Sequence, residues 1–541
     1  MVRDDENMKE TIRKDVENYI EKGFLLNQTF GDALYEICRK KGTDIALIDE
    51  KKRMSYMELL RESNRIAALM YEQGLRKGDN VLLHMPNSVE YVTVLFALLT
   101  LGARPALMLP DHSETELLAI GRVLEPKAII TVKEEMGVEY GQQAKRVAEE
   151  LKSVEKIFLD KEVDYAVSIY QKSTLAMLPF SAEKPQPYDI ALFLLSGGTT
   201  GIPKIIPRLH AAYITNAVLS AKRCCVTEES IYLAVLSTSH DYPLCAPGIF
   251  GTLFAGGKCI LAKTASPEEA FEWIRKEKAT FTQIVPVIAG LWVEAATQEK
   301  DTSSLKLKHI EVGAAKLEWE IAEKLENTFS CKIFQGYGLG EGITCFTAID
   351  DSDEITRRTQ GKPISQADRI RIVDANGNDV KQGEAGELWE TGPYTFYGYY
   401  KSPERNEGLF SEDGYLKTGD KAMLTPEGNI VILGRVREQI NRAGENIIPE
   451  EIESFIRQWE YVKEVAVIGI PDEQLGEAVC AVVIGEGEEK KLENLCEFLA
   501  TLKIARYKYP DRLIYVDKIP YVNVGKVDKK KLKKMILGEE K

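Results

Sequence analysis

Continuous apolar runs alternate with amphipathic stretches through most of this chain, and that alternation predicts α/β layers. Residues 190–195 are apolar without interruption and read as a buried strand. Ser55-Tyr56-Met57-Glu58 has capping-box spacing. It opens a predicted helix with Tyr56, Leu59, Ser63, Ile66 and Met70 on one face, ending near Gly74. Residues 81–85 then read as a strand, 88–101 as a helix, and 105–109 and 128–132 as strands. The alternation resumes with a helix over 210–221, a strand over 231–236, a helix over 247–255 and a strand over 259–261. Apolar strands alternating with helices predict a parallel sheet covered by helices.

The texture changes near Gly361. Short strands are punctuated there by turns such as Asp374-Ala375-Asn376-Gly377 and Glu412-Asp413-Gly414, which predicts a small β-rich subdomain over about 361–434. Residues 434–444 read as a polar connection, followed by a compact α+β segment. The main boundary is expected near Arg437, giving a core of 1–436 and a smaller mobile lid domain of 437–541. Residues before Thr29 are polar and charged and read as a loose arm, and lysine-dense 526–534 reads as a solvated helix end.

A length of 541 residues is too great for one hydrophobic core. A net charge of −14 disfavours nucleic acid as the main partner, since phosphate backbones demand a basic face. The nine cysteines are scattered without a CxxC pair, which suits reduced thiols rather than zinc or a disulfide framework. The apolar run over 92–103 stops at Arg104, too short to cross a bilayer, and the start of the chain lacks an apolar signal core. A cytoplasmic location is expected.

The chemistry concentrates in ALFLLSGGTTGIPKIIPR, residues 191–208. Ser196, Gly197, Gly198, Thr199, Thr200 and Gly201, closed by Pro203 and Lys204, form a glycine-dense turn leaving a buried strand. Such a turn lets backbone N–H groups converge on an anion, with hydroxyl donors and a lysine charge added. It is not the GxxxxGK[ST] pattern. Gln335-Gly336-Tyr337-Gly338-Leu339-Gly340-Glu341-Gly342 is a second glycine-rich turn, whose Glu341 suits a magnesium ion held by phosphates. Tyr415-Leu416-Lys417-Thr418-Gly419-Asp420 ends in an acid suited to a pair of ribose hydroxyls. Gly434-Arg435-Val436-Arg437 opens the connection, and Asn523-Val524-Gly525-Lys526-Val527-Asp528 places a lysine in a turn.

In this order the motifs SGGTTGIPK, YGLGEG, GELW with TGPYTFYGYY, YLKTGD, GRVREQINRAGENIIPEEIE and NVGKVDKK resemble the adenylate-forming enzymes. That superfamily holds acyl-CoA synthetases, luciferases and the adenylation domains of nonribosomal peptide synthesis. The resemblance runs from about Thr29 to about Leu532. HDYPLCAPG, QGYGLGEG and INRAGENI are most similar to the stand-alone aryl-acid ligases of siderophore pathways, of the 2,3-dihydroxybenzoate–AMP ligase type.

The resemblance implies ATP and Mg²⁺. It implies that Ser196 to Lys204 hold the β- and γ-phosphates, that Glu341 serves the metal, and that Lys526 bridges substrate carboxylate and nucleotide. Asp420 and Arg435 would grip the ribose, while Gly313, Ala314 and Ala315 and Gly336 with Tyr337 flank adenine. Arg437 matches the hinge about which the lid turns, withdrawing Lys526 and bringing the segment around Gly444 for thiol transfer. The chain carries no LGGxS attachment motif, so the acceptor is a carrier protein in trans or CoA. An aryl-CoA synthetase and a non-catalytic binder are the alternatives, and the presence of Lys526, Glu341 and Asp420 disfavours the second.

His240, Asp241, Tyr242, Ala246, Gly338 and Thr344 are implied to line the acyl pocket. Relatives acting on 2-hydroxybenzoates carry Asn at the position of Asp241; an ionised carboxylate only accepts, which favours an ortho hydroxyl or amino donor. Dihydroxybenzoate enzymes carry Ser at the position of Ala246, and alanine cannot reach a 3-hydroxyl, although Cys245 or Thr344 could. Gly340 stands where most of the superfamily has Thr. His210, which follows the loop at a family-typical place, reads either as a residue capping local structure or as one with a direct role, and Cys245 reads as pocket wall.

Overall fold

The helix expected after residue 55 runs Tyr56–Glu72 in the computed structural model, which describes residues 6–175, 177–196, 203–299, 302–314, 317, 319–436, 439–520 and 527–538. Its capping box is formed: Ser55 N donates to a Glu58 carboxyl oxygen at 2.8 Å, and Glu58 N to the Ser55 hydroxyl at 3.3 Å. Such a cap stabilises a helix by about 1 kcal/mol. Tyr56, Leu59, Ser63, Ile66 and Met70 are all buried, so the apolar stripe seats the helix as its spacing requires.

Among the described residues the strands form four sheets. One carries seven strands, in the order Val167–Ser168, Lys156–Leu159, Ala128–Thr131, Asn80–His84, Arg104–Leu107, Ile190–Ser196 and Lys204–Leu209. It is parallel except for its last pair. A nine-stranded sheet has His309–Val312, Phe281–Ile284, Ile231–Ala234 and Lys258–Leu261 as its parallel middle. Lys332–Gly338 extends it, and Thr344–Phe346 then pairs antiparallel. Helices Val89–Leu101, His210–Arg223 and Gly248–Ala255 fill the space between, around Phe30, Phe96, Tyr213 and Phe250.

The β-rich subdomain is a four-stranded antiparallel sheet of Arg369–Val373, Gly386–Thr391, Leu416–Leu424 and Ile430–Arg435. The next sheet begins at Ile440–Arg442, and Arg437 itself lies outside the described residues. In this last sheet Val465 and Val467 face one core and Ala466, Ile468 and Ile470 face another. That alternation gives one strand buried on both faces.

Three expectations are corrected. The arm before Thr29 is a helix, Glu6–Glu21, whose Ile12, Val16, Tyr19 and Ile20 pack on the main core. Their spacing is helical, but the surrounding charges masked it. Among the described residues of the polar connection over 434–444, 434–435 end one strand and Ile440–Arg442 forms another, pairing with Glu445–Ile447 in a hairpin turned by Gly444 at φ +93°. The lysine-rich end is a helix, Lys529–Leu537, but two of its lysines are engaged: Lys529 lies 2.8 Å from Glu453 and Lys533 3.4 Å from Glu477. All nine cysteines are free thiols.

Candidate active site

Strand ends build the site. Parallel strands present their carboxyl ends on one side, where chain reversals leave backbone groups unpaired and a ligand can be met. Ser196, Gly313 and Gly336–Gly338 all stand at such ends, and His240 follows the strand Ile231–Ala234. A cavity of about 180 Å³ opens among them.

Ser196 pairs with Lys204 across the hairpin of Ile190–Ser196 and Lys204–Leu209, so both ends of the glycine-dense turn are pinned. Gly197, Gly198, Thr199, Thr200 and Gly201 lie outside the described residues. Lys204 Nζ donates to the Tyr399 hydroxyl at 3.0 Å, which donates in turn to Glu341 Oε1 at 2.8 Å. A cation and a carboxylate thus share one phenol on the cavity wall. The backbone holds Glu341 in place: Phe396 N donates to its carbonyl at 2.7 Å, and Arg208 donates to the carbonyl of Gly340 at 2.8 Å. A Cβ on Gly342 would overlap the Glu390 carboxyl and force it to move. Burial pushes Glu390 up to about 8 and neighbouring Asp368 up to about 7.

On the far side, the Tyr337 hydroxyl donates to Asp420 Oδ2 at 2.6 Å. Asp420 is buried and stands opposite Arg435 in the antiparallel register, although the Arg435 side chain lies outside the described set. Gly313 packs on the Tyr242 ring, and a Cβ on Gly336 would overlap Phe346. Ala314 has φ +66°, and its carbonyl accepts from Asn441 Nδ2 at 2.9 Å. Ala315 lies outside the described residues.

The end of the cavity expected to take the acid is organised by the short helix Asp241–Cys245, capped where Tyr242 N donates to His240 Nδ1 at 3.3 Å. Asp241 Oδ1 accepts from the Tyr213 hydroxyl at 2.6 Å, and its other oxygen has no partner among the described residues. Thr344 accepts from Asn216 Nδ2 at 3.0 Å. Asp241, Tyr242, Ala246, Gly338 and Thr344 all line the cavity. Cys245 is fully buried, with its thiol toward the Tyr213 carbonyl, and burial holds its pKa well above the usual thiol range. His210 accepts from Phe30 N at 3.3 Å, and burial pushes it down to about 4, so it is a neutral packing residue.

Sequence reasoning missed Tyr213, Asn216 and Tyr399, and with them a buried polar layer behind the pocket. Gln283 Nε2 donates to the Ala246 carbonyl at 2.5 Å and to Glu311 Oε2 at 2.8 Å. Tyr232 donates to Gln283 Oε1 at 2.7 Å, and His309 lies 3.3 Å from Glu311. Burial raises the Glu311 pKa. One signal could have found this layer: His309 and Glu311 alternate on one face of the strand His309–Val312.

A second cavity of about 700 Å³ shares His240, Ala314, Gly336, Tyr337 and Gly338 with the first and runs out past Gly444. Gly444 sits against Val285 and Ala314, where an added Cβ would come within 3.2 Å of Val285 Cγ1. Lys526 lies outside the described residues. Among the described residues no group of three or more His, Cys, Asp and Glu could hold a metal ion, and Glu341 stands on the cavity wall as a single carboxylate. No described helix is long and apolar enough to cross a membrane.

Comparison with known proteins gives concordant findings. The family described as AMP-binding enzyme matches residues 34–400, and the AMP-binding enzyme C-terminal domain matches 451–526. A 2,3-dihydroxybenzoate-AMP ligase of Bacillus subtilis is 38% identical over 520 residues, covering 96% of each chain. A salicylyl-CoA synthase / salicylate adenylyltransferase of a Streptomyces species is 36% identical, covering 97% of this chain and 96% of its own. The apo structure of MbtA from Mycobacterium smegmatis superposes with a TM-score of 0.74 at 34% identity, over 96% of this chain and 97% of that one.

Proposed function

The chain belongs to the AMP-binding enzyme family, and from that premise we propose that it is an aryl acid–AMP ligase, activating an aryl carboxylic acid with ATP. The acid's carboxylate attacks the α-phosphorus of ATP, pyrophosphate leaves, and an aryl-adenylate forms. A phosphopantetheine thiol then attacks the acyl carbon and AMP leaves.

One observation carries this reading: a single cavity joins Ser196 and Lys204, Glu341, and the Asp241–Thr344 pocket. Two anions must meet, so charge stabilisation and positioning are the main tasks. Lys204, oriented by Tyr399, faces the leaving phosphates at the pinned turn. Mg²⁺, arriving with ATP and served by Glu341, would offset phosphate charge. Tyr337 holds Asp420 for the ribose, with Arg435 beside it. Asp241 and Thr344 meet the ring substituents. Lys526 bridges the reacting carboxylate and the nucleotide. Residues 1–436 act as the core, and 437–541 as a lid that turns near Arg437 to exchange Lys526 for the Gly444 segment.

We place the enzyme in the cytoplasm, with its thiol on a carrier protein in trans. The second reading is a CoA ligase, favoured by Lys529 and Lys533 at the outer cavity, where the phosphates of CoA would compete with Glu453 and Glu477 for them. Pyrophosphate exchange over salicylate, 2,3-dihydroxybenzoate, benzoate, anthranilate and 3-hydroxyanthranilate tests the activation step. Exchange with none of them overturns the reading. Efficient thioester formation on CoA alone replaces the carrier protein by CoA.

A further inference from the structure

Away from the cavities, a second contact joins the smaller lobe to the larger one. The start of helix Glu114–Leu124 meets residues 502–508. Thr115 Oγ1 donates to the Leu502 carbonyl at 3.1 Å, and the Ser113 hydroxyl faces the Lys503 carbonyl. Lys503 Nζ lies 3.0 Å from Glu114. At the centre of the contact, Glu116 Oε1 accepts from Ala505 N at 2.9 Å and lies 3.5 Å from Lys508 Nζ. Lys508 is itself 2.7 Å from Glu451 of its own lobe.

These three charged side chains are 3–6% exposed. A buried ionic cluster contributes little net stability, because desolvation offsets attraction, but an unmatched member is costly. Lys508 stands between two carboxylates, Glu451 of its own lobe and Glu116 of the larger one, and the Ala505 N–H gives Glu116 a second donor from the smaller lobe. Glu116 Oε2 accepts from Ser113 N at 3.0 Å and so caps its own helix, an arrangement local to the larger lobe. Its Oε1 finds the Ala505 N–H and the Lys508 charge only when the lobes dock as they do here. In that docking Asn441 reaches the Ala314 carbonyl and Gly444 packs on Val285 at the cavity wall.

We propose that Glu116 is a positioning residue for thiol transfer, selecting the lobe orientation that brings the Gly444 segment to the site. The inference rests on the two-step reading above. It leaves adenylation untouched, since Glu116 lies apart from the residues assigned to that step.

The test compares two rates in purified Glu116→Gln, a change that keeps an acceptor for the helix cap and removes the charge. One is pyrophosphate exchange with whichever aryl acid supports it; the other is single-turnover transfer from preformed aryl-adenylate to pantetheine, read as thioester by mass spectrometry. Transfer is expected to fall about tenfold while exchange stays within about twofold of wild type. Unchanged transfer overturns the proposal, and so does a parallel fall in both rates, which marks Glu116 as a general support of the fold. Should Glu116→Gln fail to fold, Lys503→Glu takes its place, setting two acids against each other at the exposed rim. It is expected to lower transfer alone by about threefold, and no loss overturns the proposal. Absence of exchange in the wild type would sink the functional reading instead, a result distinct from any of these.

Discussion

The hydroxyl of Tyr213 donates to Asp241 Oδ1 at 2.6 Å, tying a fully buried phenol to the carboxylate at the acyl end of the cavity. An ionised carboxylate has no proton to donate, so its remaining oxygen can only accept. That asymmetry makes the pocket's preference testable.

Asp241→Asn supplies an amide donor in the same shape. The ratio of kcat/KM for anthranilate over salicylate in pyrophosphate exchange should fall about tenfold, the size of one hydrogen bond made or lost in a dry pocket. An unchanged ratio would mean that Asp241 does not read the ortho position.

Tyr213→Phe deletes one hydroxyl and leaves the packing of the ring against Phe250 and Phe30. With its carboxylate no longer held, KM for ortho-substituted acids should rise about threefold to tenfold while benzoate is unaffected. Equal rises for benzoate and anthranilate would assign Tyr213 to the pocket's shape rather than to Asp241.

Lys526→Ala should lower pyrophosphate exchange by about a hundredfold or more with the far-ultraviolet spectrum unchanged, because it removes the charge between two anions. Tyr399→Phe gives the contrasting signature. It breaks the Lys204–Tyr399–Glu341 chain, so KM for ATP should rise about fivefold while KM for the aryl acid stays level. Exchange at wild-type rate in Lys526→Ala would remove the lysine from the mechanism.

Glu390 supplies a pH dependence. Its folded pKa, about 8, lies above the ordinary carboxylate value of 4.5, so the folded chain holds a proton that the unfolded chain releases in between. The stability associated with that proton is complete below about pH 4.5 and declines as pH rises toward 8. Asp368, raised to about 7 close by, acts in the same direction. Glu390→Gln should therefore flatten the fall in urea-unfolding free energy between pH 5 and pH 8 by about 1–3 kcal/mol. A slope as steep as that of wild type would show that the buried acid ionises without penalty.

The layers were legible where one local rule sufficed. Ser55 and Glu58 announce a helix start by themselves, and 190–195 can only be a buried strand. Glu6–Glu21 was hidden because its stripe of Ile12, Val16, Tyr19 and Ile20 is thin among charges, and it becomes apparent only once the core it covers exists. The loop ends, Glu341 and Asp420 could be singled out as motifs. Their partners could not, because Tyr399 reaches Glu341 across 58 positions and Tyr337 reaches Asp420 across 83. Tyr213 meets Asp241 from a different helix, and no periodicity encodes that meeting. Glu311 and His309 were not singled out, because their place behind Ala246 depends on Gln283, which only the folded sheet brings to the Ala246 carbonyl.

His240 and Tyr337 belong to the walls of both cavities. A partition with two faces couples what it separates: a change of side chain there reshapes the inner and the outer cavity together. Variants that widen the inner cavity at these two positions should therefore also change the outer one. Acid preference is more freely retuned from Asp241 and Thr344, which border the inner space alone.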